Sequence, residues 1–195
     1  MPVPIVLAST SAYRRQLLER LRLPFETVAP EVDETSLAGE TPPQIARRLA
    51  LLKAETVGKR RPQAIVIGSD QVAELEGRAI GKPLAHAAAL EQLMAMQGRT
   101  VVFYTALALV RPSLGFTCVE CVDTRVRFRR LRRDALEVYL RLEPAYDCAG
   151  SSKIESLGIC LVESVQSDDP TALIGLPLIS LTSMLAACGV ALPAG

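Results

Sequence analysis

Residues 64–83 read AIVIGSDQVAELEGRAIGKP. The apolar run from Ala64 to Gly68, with β-branched Ile65, Val66 and Ile67, predicts a buried strand that ends at Ser69, Asp70 and Gln71. Open α/β sheets bind ligands in the crevice beyond their strand ends, so a carboxylate there is placed for chemistry. A turn cap is the plain alternative for Asp70. Val72–Leu75 resumes an extended pattern, Glu76-Gly77 is a tight turn, and Gly81-Lys82-Pro83 closes the stretch. An acid and a lysine therefore flank a hairpin, both on loops. His86 is the only histidine, which argues against a Ser-His-Asp triad and excludes His-rich zinc sites. Catalysis must then use carboxylates, lysines, arginines and a hard cation held by oxygens.

Other candidates precede this stretch. Pro4–Ala8 is a short apolar strand, followed by Ser9-Thr10-Ser11 and an amphipathic helix carrying Leu17, Leu18 and Leu21 on one stripe. Ser11 is a good N-cap. Arg14 and Arg15 occupy the first turn, where the helix dipole favours anions. A phosphate bound at this N-terminus, held by Ser9, Ser11 and Arg14, removes the conflict. Two solvated arginines are the alternative, and Arg15 fits it well. Phe25–Ala29 reads as a second strand, and the acidic loop Pro30–Glu34 after it offers three carboxylates. A metal beside phosphates commonly uses one or two.

The elements that must position these groups follow from caps and periodicity. Thr41 caps a helix with Pro42 at its first position. Ile45, Leu49, Leu52 and Thr56 form its expected buried stripe, with Lys53 at the margin, either snorkelling to water or pointing into a cleft. Ala85–Met96 is a helix ended by Gly98, with His86 solvated near its start. Thr100–Val110 and Phe116–Phe128 form an antiparallel hairpin around Arg111–Gly115. Asp134–Leu142 is a short helix, 148–158 a glycine- and serine-rich flexible loop, Ile159–Val162 a strand and Ser167–Pro170 a turn. A final scaffold helix turns Leu178, Leu181, Met184 and Leu185 inward.

Composition sets bounds. A chain of 195 residues fits one domain, and nearly half its residues are hydrophobic. With 22 basic and 21 acidic residues it generates no overall field for nucleic acid or membrane. The basic cluster Arg125–Arg133 has only sparse interleaved aromatics and reads as a solvated face rather than an RNA patch. No signal peptide or span-length apolar stretch is visible, and the expectation is a cytoplasmic protein. Of the five cysteines, Cys118 and Cys121 fall on opposite faces of a strand and the other three read as core.

LASTSAYRR, EVDE, Lys53 within a helix, IGSDQV, GKP, CAGS and a closing GLPL occur in this order over nearly the whole chain. Together they resemble the Maf family of nucleotide pyrophosphatases. The resemblance implies an α/β fold: a mixed, strongly curved central sheet with flanking helices and two lobes around a nucleotide cleft, similar to inosine triphosphatases, with residues 1–195 as one domain. It implies hydrolysis of a nucleoside triphosphate between its α- and β-phosphates, with a divalent cation such as Mg, Mn or Co. By position, it makes Ser9 and Arg14 phosphate ligands, Glu34 the acidic-loop residue that with Asp70 holds metal, Lys53 and Lys82 catalytic cations, and Asp70 the base. Tyr13, Gln71 and Glu155 resemble the branch acting on 7-methyl-GTP. The thymidine and uridine triphosphate branch would carry threonine after the aspartate and glutamine near position 155. The chain departs from its branch at Tyr13, where tryptophan is usual. Pyrophosphatases for inosine, xanthosine, thymidine or uridine triphosphates are the alternatives, as is a nucleotide-binding regulator of cell division and septum formation. No nucleic-acid polymer or membrane is expected as a partner, and a homodimer is left open.

Overall fold

The computed structural model describes residues 3–193. The chain begins with β1 (Ile5–Leu7), α1 (Ala12–Glu19), β2 (Glu26–Thr27) and α2 (Pro42–Arg60). It continues through β3 (Ile65–Leu75), β4 (Arg78–Ile80), α3 (His86–Met96), β5 (Thr100–Arg111) and β6 (Phe116–Phe128). It ends with α4 (Arg133–Leu142), β7 (Val162–Ser167) and α5 (Leu178–Ala187). The strands form one mixed sheet in the order β2-β1-β3-β5-β6-β7, with β4 paired to β3. β2, β1 and β3 run parallel and the remaining pairs antiparallel. None of the described helices is long and apolar enough to cross a membrane.

β3 does not end at Ser69. It runs eleven residues, paired with β5 from Val66 through Glu74, so Asp70 lies mid-strand rather than on a loop. A strand can carry Ser69, Asp70 and Gln71 through the interior because each meets a partner there. The second strand shrinks to Glu26–Thr27, since only these residues register with Val6 and Leu7. The expected strand at Ile159 is a 3₁₀ turn over Leu157–Leu161, and pairing begins at Val162.

Side chains alternate along β3 and β5, and the alternation divides the core. Ile65, Ile67, Leu107 and Leu109 pack with α1 and α5. Farther along the same face, Ala73, Val101 and Phe103 pack with α3 and α4. Between these two apolar clusters, Ser69, Gln71 and Thr105 form a polar seam. The opposite face, with Val66, Ala106, Ala108 and Val110, is covered by α2.

Thr41 and Gln44 form a capping box at the start of α2. The buried stripe of this helix is rotated from the expected one: Leu52 and Thr56 are only partly buried, whereas Ala46, Ala50, Lys53, Ala54 and Val57 are buried. Small residues permit close approach to β3. A Cβ at Gly68 would lie 2.2 Å from the Ala50 carbonyl oxygen and 2.9 Å from the Ala54 Cβ. Contact this tight turns Lys53 onto the sheet. His86 is not simply solvated, since its ring bonds the Tyr146 hydroxyl at 2.9 Å and Glu137 at 2.7 Å. The three cysteines expected in the core are peripheral: Cys160 is exposed, and Cys148 and Cys188 are half-buried.

Candidate active site

The polar seam opens into a cleft of about 570 Å³. The site residues that the sequence and the resemblance assign line it: Ser9, Ser11, Tyr13, Arg14, Glu34, Lys53, Asp70, Gln71, Lys82 and Glu155. One end is charged. Lys53 is only 4 % exposed, and its ammonium lies 2.6 Å from Asp70 Oδ1 and 2.8 Å from Glu34 Oε1. The lysine that position alone left undecided thus points into the cleft. Burial pushes the Glu34 carboxyl up, but the hydrogen bond and charge of Lys53, with Lys82 and Arg14 behind them, outweigh it and hold Glu34 below its ordinary value. Of the acidic loop's other carboxylates, Glu31 pairs with Arg60 and Asp33 accepts from the Thr35 N–H. Neither lines the cleft.

Ser11 caps α1 by accepting from the Arg14 N–H, and Ser9 Oγ accepts from the Ser11 N–H. Arg15 turns outward to Glu19, as a solvated arginine should. Arg14 turns inward, and its Nε donates to the Gly175 carbonyl at 2.9 Å. That bond fixes the guanidinium plane and leaves the terminal nitrogens for a ligand. Burial lowers the Arg14 pKa, with Asp70 and Glu34 opposing; a group whose ordinary value is so high stays charged.

Gly175 is held from behind. Ser69 Oγ lies 2.9 Å from its carbonyl, and the Gln71 amide reaches Thr105 Oγ1 and the Ala172 and Leu173 carbonyls. Buried Asp169 accepts from the Thr171 N–H and hydroxyl and from the Ile179 N–H in the first turn of α5. The turn that aims Arg14 is therefore braced on both sides. Gln71 commits its amide nitrogen to this bracing and lines the cleft at the same time.

The other end of the cleft is formed by Tyr13, Phe103, Ala149, Ile154, Leu173 and Glu155. An apolar slot with a few convergent polar groups suits a planar base. The glycine- and serine-rich stretch is not a flexible loop. The Lys153 carbonyl accepts from the Ser156 and Gly158 N–H groups, Glu143 accepts from Gly158, and the Ser151 hydroxyl bonds Gln92. A Cβ at Gly158 would lie 2.5 Å from the Lys153 carbonyl oxygen. Burial, with Asp147 beside it, pushes the Cys148 thiol up to about 12, so this cleft-wall cysteine is an inert neutral group.

The family described as "Maf-like protein" matches residues 4–188. The chain belongs to the Maf family. It is 57% identical over 189 residues to the protein named 7-methyl-GTP pyrophosphatase of Aromatoleum aromaticum, covering 97% of each chain. It is 53% identical over 186 residues to the protein of the same name in Albidiferax ferrireducens, covering 95% of this chain and 94% of the other. A HAM1 protein from Coxiella burnetii matches 95% of this chain and all of its own, with a TM-score of 0.55 at 17% identity, a likeness of fold. As in the Maf resemblance read from the motifs, the sheet is mixed with flanking helices, five among the described residues.

Several cleft residues of this Maf chain escaped the sequence reading. Phe103 lay inside the β-rich run 100–110, Gly175 inside the closing GLPL, and Leu173 drew no reading; Asp169, read as part of a turn, lies outside the cleft lining and braces the Gly175 turn from behind. Lys153, which does not line the cleft itself but lies against its lining residues Tyr13 and Asp147, carried one signal, its place two residues before Glu155.

Among the described residues no group of three or more His, Cys, Asp or Glu side chains is placed to hold a metal. Two carboxylates do share the Lys53 ammonium, each through one oxygen. A pair with its second oxygens outside that contact suits a hard cation whose remaining ligands are water and phosphate oxygens.

Proposed function

We propose that this Maf protein is a nucleotide pyrophosphatase that hydrolyses 7-methyl-GTP to the nucleoside monophosphate and pyrophosphate. The observation carrying the reading is the charged end of the cleft, where Lys53 bridges Asp70 and Glu34 beside an inward Arg14, in a chain more than half identical to proteins named for that activity. Asp70 orients a water through the oxygen not held by Lys53 and takes its proton as it attacks the α-phosphorus. Lys53 fixes that carboxylate and, with Lys82, supplies point charges against the phosphates. The Arg14 fork binds two phosphate oxygens at once, and Ser9 and Ser11 complete the cradle with the α1 N-terminus. A divalent cation held by Glu34 and Asp70 would offset charge on the phosphates. In such an in-line displacement most of the rate comes from positioning and electrostatics, so no covalent nucleophile is required. At the other end, Tyr13 offers its ring face to a cationic purine and Glu155 accepts from two guanine donors.

The test is pyrophosphate release with Mg²⁺ from 7-methyl-GTP, GTP and the inosine, xanthosine, thymidine and uridine triphosphates. Turnover led by 7-methyl-GTP supports the assignment. Binding without release would point to a nucleotide sensor instead.

A further inference from the structure

Lys153 is a largely buried cation that the hydrolysis above leaves unused. Its side chain is 18% exposed, with Nζ 3.5 Å from Asp147 Oδ1 and 5.8 Å from the centroid of the Tyr13 ring. Tyr13 and Asp147 both line the cleft. The backbone beneath is pinned, since the Lys153 N–H donates to the buried Tyr139 hydroxyl and its carbonyl closes the 153–158 turn. Burial pulls the ammonium's pKa down, but the Tyr13 hydroxyl and Asp147 outweigh it and raise the value, so the group is charged. Next to it, the Ser152 hydroxyl is buried on the cleft wall with no partner among the described residues. Buried polar groups are nearly always bonded, so this orphan points to a ligand. Two residues on, Glu155 lines the same wall.

We propose that Lys153 is a specificity residue that reads the O6 oxygen of a guanine-type base, while Glu155 reads the two donors beside it. The inference rests on the base occupying the Tyr13 and Glu155 end, as argued above. One edge of guanine presents O6, N1–H and the 2-amino group in a row, an acceptor followed by two donors. A carboxylate serves the two donors but has nothing for O6. An ammonium carries three donors and no acceptor. Lys153 and Glu155 together match the whole edge. Adenine places an amino donor at position 6, which would face the ammonium unpaired. The pair therefore selects 6-oxopurines through Lys153 and the 2-amino group through Glu155. Tyr13 and Asp147 are the resting partners of the ammonium. A base stacking on Tyr13 moves it from the ring to O6, with Asp147 still in reach.

The experiment compares kcat and KM for 7-methyl-GTP, GTP, inosine triphosphate and 2-aminopurine riboside triphosphate, which lacks O6, in wild type, Lys153→Met and Lys153→Arg. Lys153→Met should lower kcat/KM for the three 6-oxo substrates about 10- to 100-fold, mainly through KM, and leave the low 2-aminopurine value unchanged. Lys153→Arg keeps the charge and the fold-neutral stem, and should keep the 6-oxo ranking. A uniform loss across all four nucleotides, or an unchanged ratio of 6-oxo to 2-aminopurine kcat/KM in Lys153→Met, would overturn the proposal. Wild-type enzyme preferring thymidine or uridine triphosphate to 7-methyl-GTP would overturn the substrate reading alone, since the O6 comparison is internal to the purines.

Discussion

The two ends of the cleft handle buried polarity in opposite ways. At the phosphate end charges satisfy one another: Lys53 sits between Asp70 and Glu34, and Arg14 rests on a backbone carbonyl. These groups come from α1, α2, β3 and the acidic loop, and the strand and helices give them rigid backbones. At the base end Lys153, Asp147, Ser152 and Glu155 lie on irregular backbone between α4 and β7, made rigid by bonds from Tyr139, Gln92 and Glu143. On the proposed function, one end works by counted charge and serves any triphosphate. The other, on the same proposal, works by the pattern of donors and acceptors and rejects the wrong base. Chemistry and selectivity should therefore separate under mutation.

Asp70→Asn is the strongest test of that separation. It should cost about 10²–10⁴-fold in kcat for every nucleotide while binding persists, because the isosteric amide cannot take a proton. Turnover at the wild-type rate would remove Asp70 as the base. Arg14→Lys should lose about 10- to 100-fold in kcat/KM, again without changing the ranking of bases, since the fork geometry is lost. Gly68→Ala attacks the scaffold that the charged end depends on. A methyl driven against the Ala50 carbonyl must push α2 from β3, and thermal or denaturant melts should report a loss of about 3 kcal/mol together with reduced activity. A variant as stable as wild type would mean that the close approach is not required.

Smaller effects belong to the base end. Tyr13→Ala should weaken 7-methyl-GTP more than GTP, by about 2- to 30-fold, as expected for loss of a cation–π contact. Glu155→Gln should narrow the gap between 7-methyl-GTP and the pyrimidine triphosphates, because an amide offers one donor and one acceptor. Rankings of kcat/KM check both, and a uniform drop across substrates would erase the distinction between the two ends. The smallest effect is on pH dependence. Glu34 has a folded pKa below its ordinary 4.5, so its pairing with Lys53 stabilises the fold above that value. The contribution is lost as pH falls through the lower folded value. Acid unfolding of ligand-free Glu34→Gln should accordingly show a shallower limb below pH 4.5 than wild type.

What was legible in the sequence was local. Ser11 and Thr41 announced their helices because caps and first-turn residues act within three or four positions. The β5–β6 hairpin followed from a turn-rich segment between two β-rich runs. The motif residues were recognisable as a set, and they do line one cleft. Tertiary structure alone decided the rest. Whether β3 could continue through Ser69, Asp70 and Gln71 depended on acceptors and donors at Lys53, Thr105, Ala106 and Gly175, far along the chain. Which face α2 buried depended on the missing Cβ of Gly68, and so did the direction of Lys53. His86, with Tyr146 and Glu137, and Lys153, beside the Tyr13 ring, likewise took partners far along the chain. Periodicity and caps are properties of neighbouring residues, whereas the partner of a buried polar group is settled only when the chain closes around it.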